Sequence, residues 1–418
     1  MTAWYESGVD YAAFCRSRLA GDGIDRVVLM HRVVCIAGKP APTGERTRYA
    51  FGAKALLRSG RVNVPSNFKS AHKESPGMQP YRLNAPTSDD LDTTVSEHLA
   101  ANTLASVVLQ FSSPEQYPTH LLKRVDALCS QYGERINVRF WGHFAGQTFD
   151  ATTLLALPSV QSLSLTSLSQ VIAVETLGAL EHLKRLQIGI LDVDLNPIVA
   201  LANLQALHSL GLSQEQGAKV DLSPLHQMRN LQSLSVSVRN RGLEALEHHP
   251  SITQLSLYRQ PATTTFEGVG TLPRLESLAI GFGSRAAMPE LGSESVRHLS
   301  LVRVRGLSQF DLACCPNLRT LRIEDQPHLA SLALESAPLL TDVRLLNLKA
   351  LASLSGLNES ALTRLCLIKT PQLDLFKLLE TRPSALVALK LFAGKRTLDA
   401  QIAARQNELG IGGVAGPF

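Results

Sequence analysis

The chain has 418 residues, 44% of them hydrophobic and 18% charged, with a formal net charge of +5. That hydrophobic share fills a large core and excludes a chain too polar to fold. Residues 1–90 hold 13 Lys/Arg against 8 Asp/Glu, and the remainder balances at 28 of each, so overall charge does not indicate a polycationic nucleic-acid binder.

Residues 1–90 are expected to form a poorly ordered segment. Turn formers and polar residues dominate from Gly38 to Asp90, although Tyr11 to Leu19 suits a short helix and Val27 to Ile36 a strand. The run Val27 to Ala37 is broken by His31 and Arg32 and falls short of the ~20 residues that span a bilayer. The start, MTAWYESGVD, lacks the basic and apolar regions of a secretion signal, so no membrane association and a cytoplasmic location are expected. The six cysteines, Cys15, Cys35, Cys129, Cys314, Cys315 and Cys366, include no C-x-x-C and read as reduced thiols.

Residues 91–157 read as a small α/β cap. Ala105 to Phe111 is apolar and β-prone, and Leu121, Leu122, Val125 and Leu128 recur at helical spacing within Pro118 to Tyr132. Gly133 then marks the helix end. Ile136, Val138 and Phe140 alternate as a strand, the expected first rung of a longer stack.

Residues 158–392 are a repeat array. The unit L-x-x-L-x-(L/I/V) begins at Val160, Leu183, Leu207, Leu231, Ile252, Leu275, Val296, Leu318, Leu340, Leu362 and Leu386, at steps of 21 to 24 residues. A lone helix or hairpin has no such period; a solenoid does, because each turn buries its leucines only against the next. Each x-L-x-L-x is a short parallel strand with leucines inward. Eleven strands at ~4.8 Å span roughly 50 Å of concave sheet. Return segments should be helical early (Ala173 to Leu180, Leu243 to Glu247) and more extended later. Residues 393–418 supply a closing helix near Leu398 to Leu409 and a tail.

The copies Leu231-Gln-Ser-Leu-Ser-Val, Leu275-Glu-Ser-Leu-Ala-Ile and Leu318-Arg-Thr-Leu-Arg-Ile resemble the leucine-rich repeat. The length, and the lack of the cysteine-stapled caps usual in extracellular members, resemble bacterial and other intracellular 22-residue versions. The resemblance implies an α/β solenoid, a horseshoe with a parallel concave sheet, that acts in protein–protein interaction. In that family an asparagine usually follows the third apolar position by three residues and satisfies backbone groups inside the turn. Here that position is occupied by Leu168, Leu191, Glu215, Arg239, Gln260, Gly283, Val304, Gln326, Leu348, Thr370 and Gly394, so those groups must be satisfied otherwise.

The expected inner surface is small and polar in its first half, from Ser162 to Ser237. In its second half it is charged, with aromatics at the boundary and the far end. The candidate partner-binding residues are Tyr258, Phe282, Arg303, Arg305, Arg322, Glu324, Asp325, Arg344, Arg364, Lys369, Lys390 and Phe392, because arginine forks and rigid rings dominate binding hot spots. Adjacent Cys314 and Cys315 should point to opposite sides of an extended chain, and zinc-like spacing is missing, so no metal is expected. His248-His249 reads as an exposed pair. No nucleophile–base pair, carboxylate pair or phosphate loop stands at readable spacing, and neither catalysis nor a cofactor is expected.

The leading expectation is therefore a monomeric, non-enzymatic scaffold that holds a partner protein on its concave face, as an effector, immunity or regulatory protein. The competing one is a nucleic-acid or polyanion binder using Arg303, Arg322, Arg344 and Arg364.

Overall fold

The computed structural model describes residues 80–143, 146–191, 193–215 and 217–411. The helix expected at Tyr11 to Leu19 and the strand at Val27 to Ile36 lie outside the described residues. The described chain is built on one 14-stranded sheet whose strands follow sequence order. They are β1 (Tyr81–Asn84), β2 (Val107–Phe111), β3 (Ile136–Trp141), β4 (Ser162–Leu168), β5 (Arg185–Ile190), β6 (Ser209–Ser213) and β7 (Ser233–Ser237). They continue as β8 (Gln254–Tyr258), β9 (Ser277–Gly281), β10 (His298–Val302), β11 (Thr320–Glu324), β12 (Asp342–Leu346), β13 (Arg364–Ile368) and β14 (Ala388–Phe392). Every neighbouring pair is parallel.

Each of the eleven repeat copies supplies one strand, β4 to β14. The first apolar residue of a copy closes the turn into the strand, and the second and third alternate with polar residues along it. Register stacks like on like: Leu255, Leu278, Leu299, Leu321, Val343, Leu365 and Leu389 form one continuous row. All the repeat's apolar positions are buried except Leu386, which is half-buried. A fully buried leucine stabilises by about 1.5–3 kcal/mol relative to an exposed one. In this geometry the gain exists only where a neighbouring rung covers it.

The return legs lie on the leucine side. They are 3₁₀ turns at Val174–Ala179, Ala202–Ala206, Ser223–Gln227 and Leu243–Leu246. The expected change from helical to extended legs is corrected. Short extended pairs occur early (Phe149–Asp150 with Val171–Ile172, Val220–Asp221 with Asn240–Arg241) as well as late (Ser331–Ala333 with Ser353–Ser355). 3₁₀ turns persist at Leu312–Cys314 and Leu334–Ser336, and the last leg carries the helical stretch Leu375–Glu380. Helix α1 (Thr119–Tyr132) buries Leu121, Leu122, Val125, Leu128 and Cys129 against the first rungs. It stops at Gly133, whose φ of +59° suits glycine. Helix α2 (Arg396–Glu408) follows β14 and buries Ile402, and Asp399 Oδ1 accepts the Ala393 N–H at 2.6 Å. β1 and β2 add two rungs ahead of β3, and β1 lies within the stretch read from sequence as poorly ordered.

Two histidines are buried parts of this framework. His143 is 1% exposed, with Nδ1 3.1 Å from the Trp141 carbonyl and Nε2 2.8 Å from the Tyr117 hydroxyl. A carbonyl only accepts, so Nδ1 carries the proton and Nε2 accepts from Tyr117. The sequence reading of His248-His249 as an exposed pair is corrected: His248 is exposed, but His249 is 2% exposed and its Nε2 donates to the Met228 carbonyl at 3.1 Å. The 3₁₀ turn ending at Leu246 and the left-handed His248 fold His249 under the leg, which the residue string does not reveal.

Burial depresses the pKa of both His143 and His249 below the usual imidazole value. Between the depressed value and about 6.5 the unfolded chain therefore binds more protons than the folded one. Stability should be complete above pH ~6.5 and fall as pH drops below it. The urea midpoint should be lower at pH ~5.5 than at ~7.5, and His143→Gln should flatten that slope. Identical midpoints at the two pH values would refute the assignment.

Candidate functional site

The chain has the leucine-rich repeat fold, with one copy per strand and parallel in-register pairing, and its non-leucine strand positions line a common face. The register sorts that face into rows. The central row runs Ser256, Ala279, Ser300, Arg322, Arg344, Cys366 and Lys390 from β8 to β14. A flanking row includes Thr320, Asp342, Arg364 and Ala388, and a row at the strand ends runs Tyr258, Gly281, Val302, Glu324, Leu346, Ile368 and Phe392.

One residue past the ends of β8 to β13, the backbone turns left-handed. Arg259, Phe282, Arg303, Asp325, Asn347 and Lys369 have φ of 53–59°. Their N–H groups donate to Gly281, Val302, Glu324, Leu346, Ile368 and Phe392 of the next rung, so the six form a ridge along the sheet. Only Asp and Asn among them tolerate this region readily; for the others it costs roughly 1–2 kcal/mol. Lys369→Gly removes that cost at an exposed position and should raise stability by about 1 kcal/mol. A drop in the urea midpoint of that variant would contradict the strain.

The ridge and the strand ends carry a line of side chains across five rungs. The Tyr258 ring packs edge-on to Phe282 at 5.9 Å between centroids, and the Arg303 guanidinium lies 5.8 Å from the Phe282 ring. Arg303 Nε and Nη2 reach Asp325 Oδ2 at 2.9 and 2.8 Å, and Asn347 Nδ2 donates to Asp325 Oδ1 at 2.9 Å. Gly281 makes room: a Cβ there would sit 3.2 Å from the Tyr258 ring and 2.8 Å from the Val302 oxygen.

Three further candidate arginines pair within the sheet. Arg322 Nη2 meets Glu324 Oε2 at 2.5 Å. Arg344 Nε lies 3.2 Å from Asp342 Oδ1, and Arg364 Nε lies 3.3 Å from Asp342 Oδ2, so two guanidiniums share one carboxylate. Cys366 stands between Arg344 and Lys390; burial pushes its thiol pKa up, outweighing the pull of the two cations, and keeps it neutral. Lys369, Lys390 and Phe392 are exposed at the end of the array. Arg305 stands apart from the strands, exposed, in a bridge to Ser284 beyond the ridge.

The first half of the face offers less. Ser162, Ser164, Ser209, Ser233 and Ser237 are all under 9% exposed. Ahead of them, a polar chain missed in the sequence joins Asn84 to Gln110, Gln110 to Arg139, and Arg139 to Thr166. At the strand entrances an open groove of about 470 Å³ holds Glu134, Lys184 and His208, with Glu134 already 2.9 Å from His208 and 3.8 Å from Lys184.

The missing asparagine ladder is replaced in several copies by other amides, at the same position or close to it. Gln214 Nε2, one residue before the expected place, lies within 3.1 Å of the Ile190, Leu191 and Val193 carbonyls. Asn240 reaches the Val238 carbonyl and Gln260 Oε1, Gln260 reaches the Tyr258 carbonyl, and Gln326 reaches the Glu324 carbonyl. The expected divergence of Cys314 and Cys315 is corrected. Cys314 ends a 3₁₀ turn rather than an extended run, which brings the two sulfurs to 3.7 Å. Among the described residues no group of three or more His, Cys, Asp or Glu could hold a metal, and no helix is long and apolar enough to cross a membrane.

No family model matches the chain, and no curated protein does. Among solved structures it is similar to a leucine-rich repeat protein of Leptospira interrogans, at 17% identity over 60% of each chain with a TM-score of 0.40. It is similar to internalin C2 of Listeria monocytogenes at 18% identity, over 48% of this chain and 75% of that one, with a TM-score of 0.28. The leucine-rich repeat domain of APL1 is similar at 15% identity, over 69% and 85%, with a TM-score of 0.36.

Proposed function

We propose that this chain is a non-enzymatic scaffold that binds a partner protein on the sheet face of β8 to β14. The observation that carries the reading is the line Tyr258, Phe282, Arg303, Asp325 and Asn347, held across five rungs by ring contacts and hydrogen bonds. Rings and guanidiniums already fixed in place lose little freedom on binding, which is what makes such groups effective anchors. We place the protein in the bacterial cytoplasm as a monomer, in an effector, immunity or regulatory role.

The polyanion reading is weaker on this geometry. Arg303 and Arg322 pair one to one with carboxylates of the same face and Arg344 and Arg364 share Asp342, so a phosphate backbone running along the row would meet arginines already partly neutralised. The test is affinity capture from source-cell lysate with wild type and a Tyr258→Ser/Phe282→Ser variant of verified fold. Wild type should retain a defined protein that the variant loses, and retention should persist between about 50 and 200 mM salt. Equal retention by the variant, or recovery of nucleic acid that this salt step releases, would overturn the reading.

A further inference from the structure

Charge is not matched evenly along the face. Up to β11 the pairs are one to one: Arg303 with Asp325, and Arg322 with Glu324. Over β12 to β14 the face and its ridge carry Arg344, Arg364, Lys369 and Lys390 against the single carboxylate of Asp342, whose two oxygens are both engaged. The local balance is three positive charges within three strands. Beside them, the end row Leu346, Ile368 and Phe392 forms an apolar strip, with Leu346 and Ile368 partly exposed and Phe392 43% exposed.

We propose that β12 to β14 dock an acidic, leucine-bearing extended segment of the partner protein. The inference rests on the concave-face reading and assigns chemistry to one end of it. Arg344 and Lys390 lie two strands apart in the central row, about 9.6 Å at ~4.8 Å per strand. An extended peptide in the polyproline II conformation rises ~3.1 Å per residue with three residues per turn, so acidic side chains three residues apart lie on one face about 9.3 Å apart and match that spacing. Apolar side chains between them then reach the Leu346–Ile368–Phe392 strip. Surplus cations attract the acids and the strip takes the leucines, so neither chemistry alone satisfies the surface. A bare phosphate backbone supplies only the first.

The probe is a fluorescein-labelled (Glu-Leu-Ser)4 peptide titrated with the full chain by fluorescence anisotropy. It should bind at least ~10-fold more tightly than (Gln-Leu-Ser)4 and more tightly than (Glu-Ser-Ser)4, the tenfold being ~1.4 kcal/mol. Arg344→Gln/Lys390→Gln should weaken it by ~10-fold or more while leaving Asp342 paired to Arg364. Phe392→Ser, at an exposed position outside the core, should weaken it several-fold. Equal binding of the glutamine peptide, or indifference to both variants, overturns the proposal. So does a (dT)12 oligonucleotide that binds as tightly and loses affinity in the same variants, which identifies a polyanion surface instead. If the peptide fails while Tyr258 and Phe282 still govern partner capture, the concave-face reading stands and only this assignment falls.

Discussion

Gly270→Ala is expected to destabilise the array by about 3 kcal/mol or more, whereas Gly292→Ala should change stability by no more than ~0.5 kcal/mol. Gly270 closes the short helical turn Glu267–Gly270 in the leg between β8 and β9. A Cβ on it would fall 1.9 Å from the Gly292 carbonyl oxygen in the next leg, far inside contact distance and against backbone that cannot rotate away. The legs must separate, and with them the leucine rows that each rung covers for its neighbour. A Cβ on Gly292 meets nothing within 4 Å. The pair isolates inter-leg spacing from the general effect of losing a glycine. Urea denaturation of both variants checks it, and similar midpoints for the two would show that the legs can part at little cost.

Phe140→Ala is the second large expected effect, about 3–5 kcal/mol. Phe140 is fully buried in β3 and sits at the centre of an aromatic cluster: Phe111 at 5.5 Å, Tyr117 at 5.0 Å and Phe149 at 4.9 Å between ring centroids. Those rings belong to β2, the approach to α1 and the leg after β3, so one side chain joins the cap to the first rung. Its loss leaves a cavity among rings fixed by separate elements, and the site cannot collapse to fill it. Because each rung touches only its neighbours, β1 to β3 should loosen first, and hydrogen exchange should rise there before it rises in β8 to β14. Uniform loss of protection along the sheet would contradict that local origin.

How much of this was legible in the sequence depends on the interaction involved. The eleven rungs were readable because burial of three apolar positions per copy forces a period that the residue string displays directly. β1 was not: Tyr81–Asn84 has only Leu83 even partly buried, so no alternating pattern announces it. The ridge was hidden for a different reason. Arg259, Phe282, Arg303 and Lys369 are poor formers of left-handed backbone, and it is the rung-to-rung hydrogen bonds that hold them there. Candidate face residues could be picked by counting from the leucines, but their ion pairing could not. Arg303 finds its carboxylate 22 positions away in the next copy, and Arg344 and Arg364 converge on one Asp342 only once the strands are set side by side. Of the amides that replace the asparagine ladder, Gln260 and Gln326 stand where the family pattern places the asparagine, whereas Gln214 was hidden because it acts from one position earlier.

The most direct test of the central claim is photo-crosslinking in source cells from two positions, with benzoylphenylalanine in place of Tyr258 on the sheet face or of Leu155, 55% exposed on a return leg. The account expects a discrete protein adduct from the Tyr258 position and none from the Leu155 position. An adduct from Leu155 with none from Tyr258 would move the interaction to the opposite side of the solenoid and contradict the account.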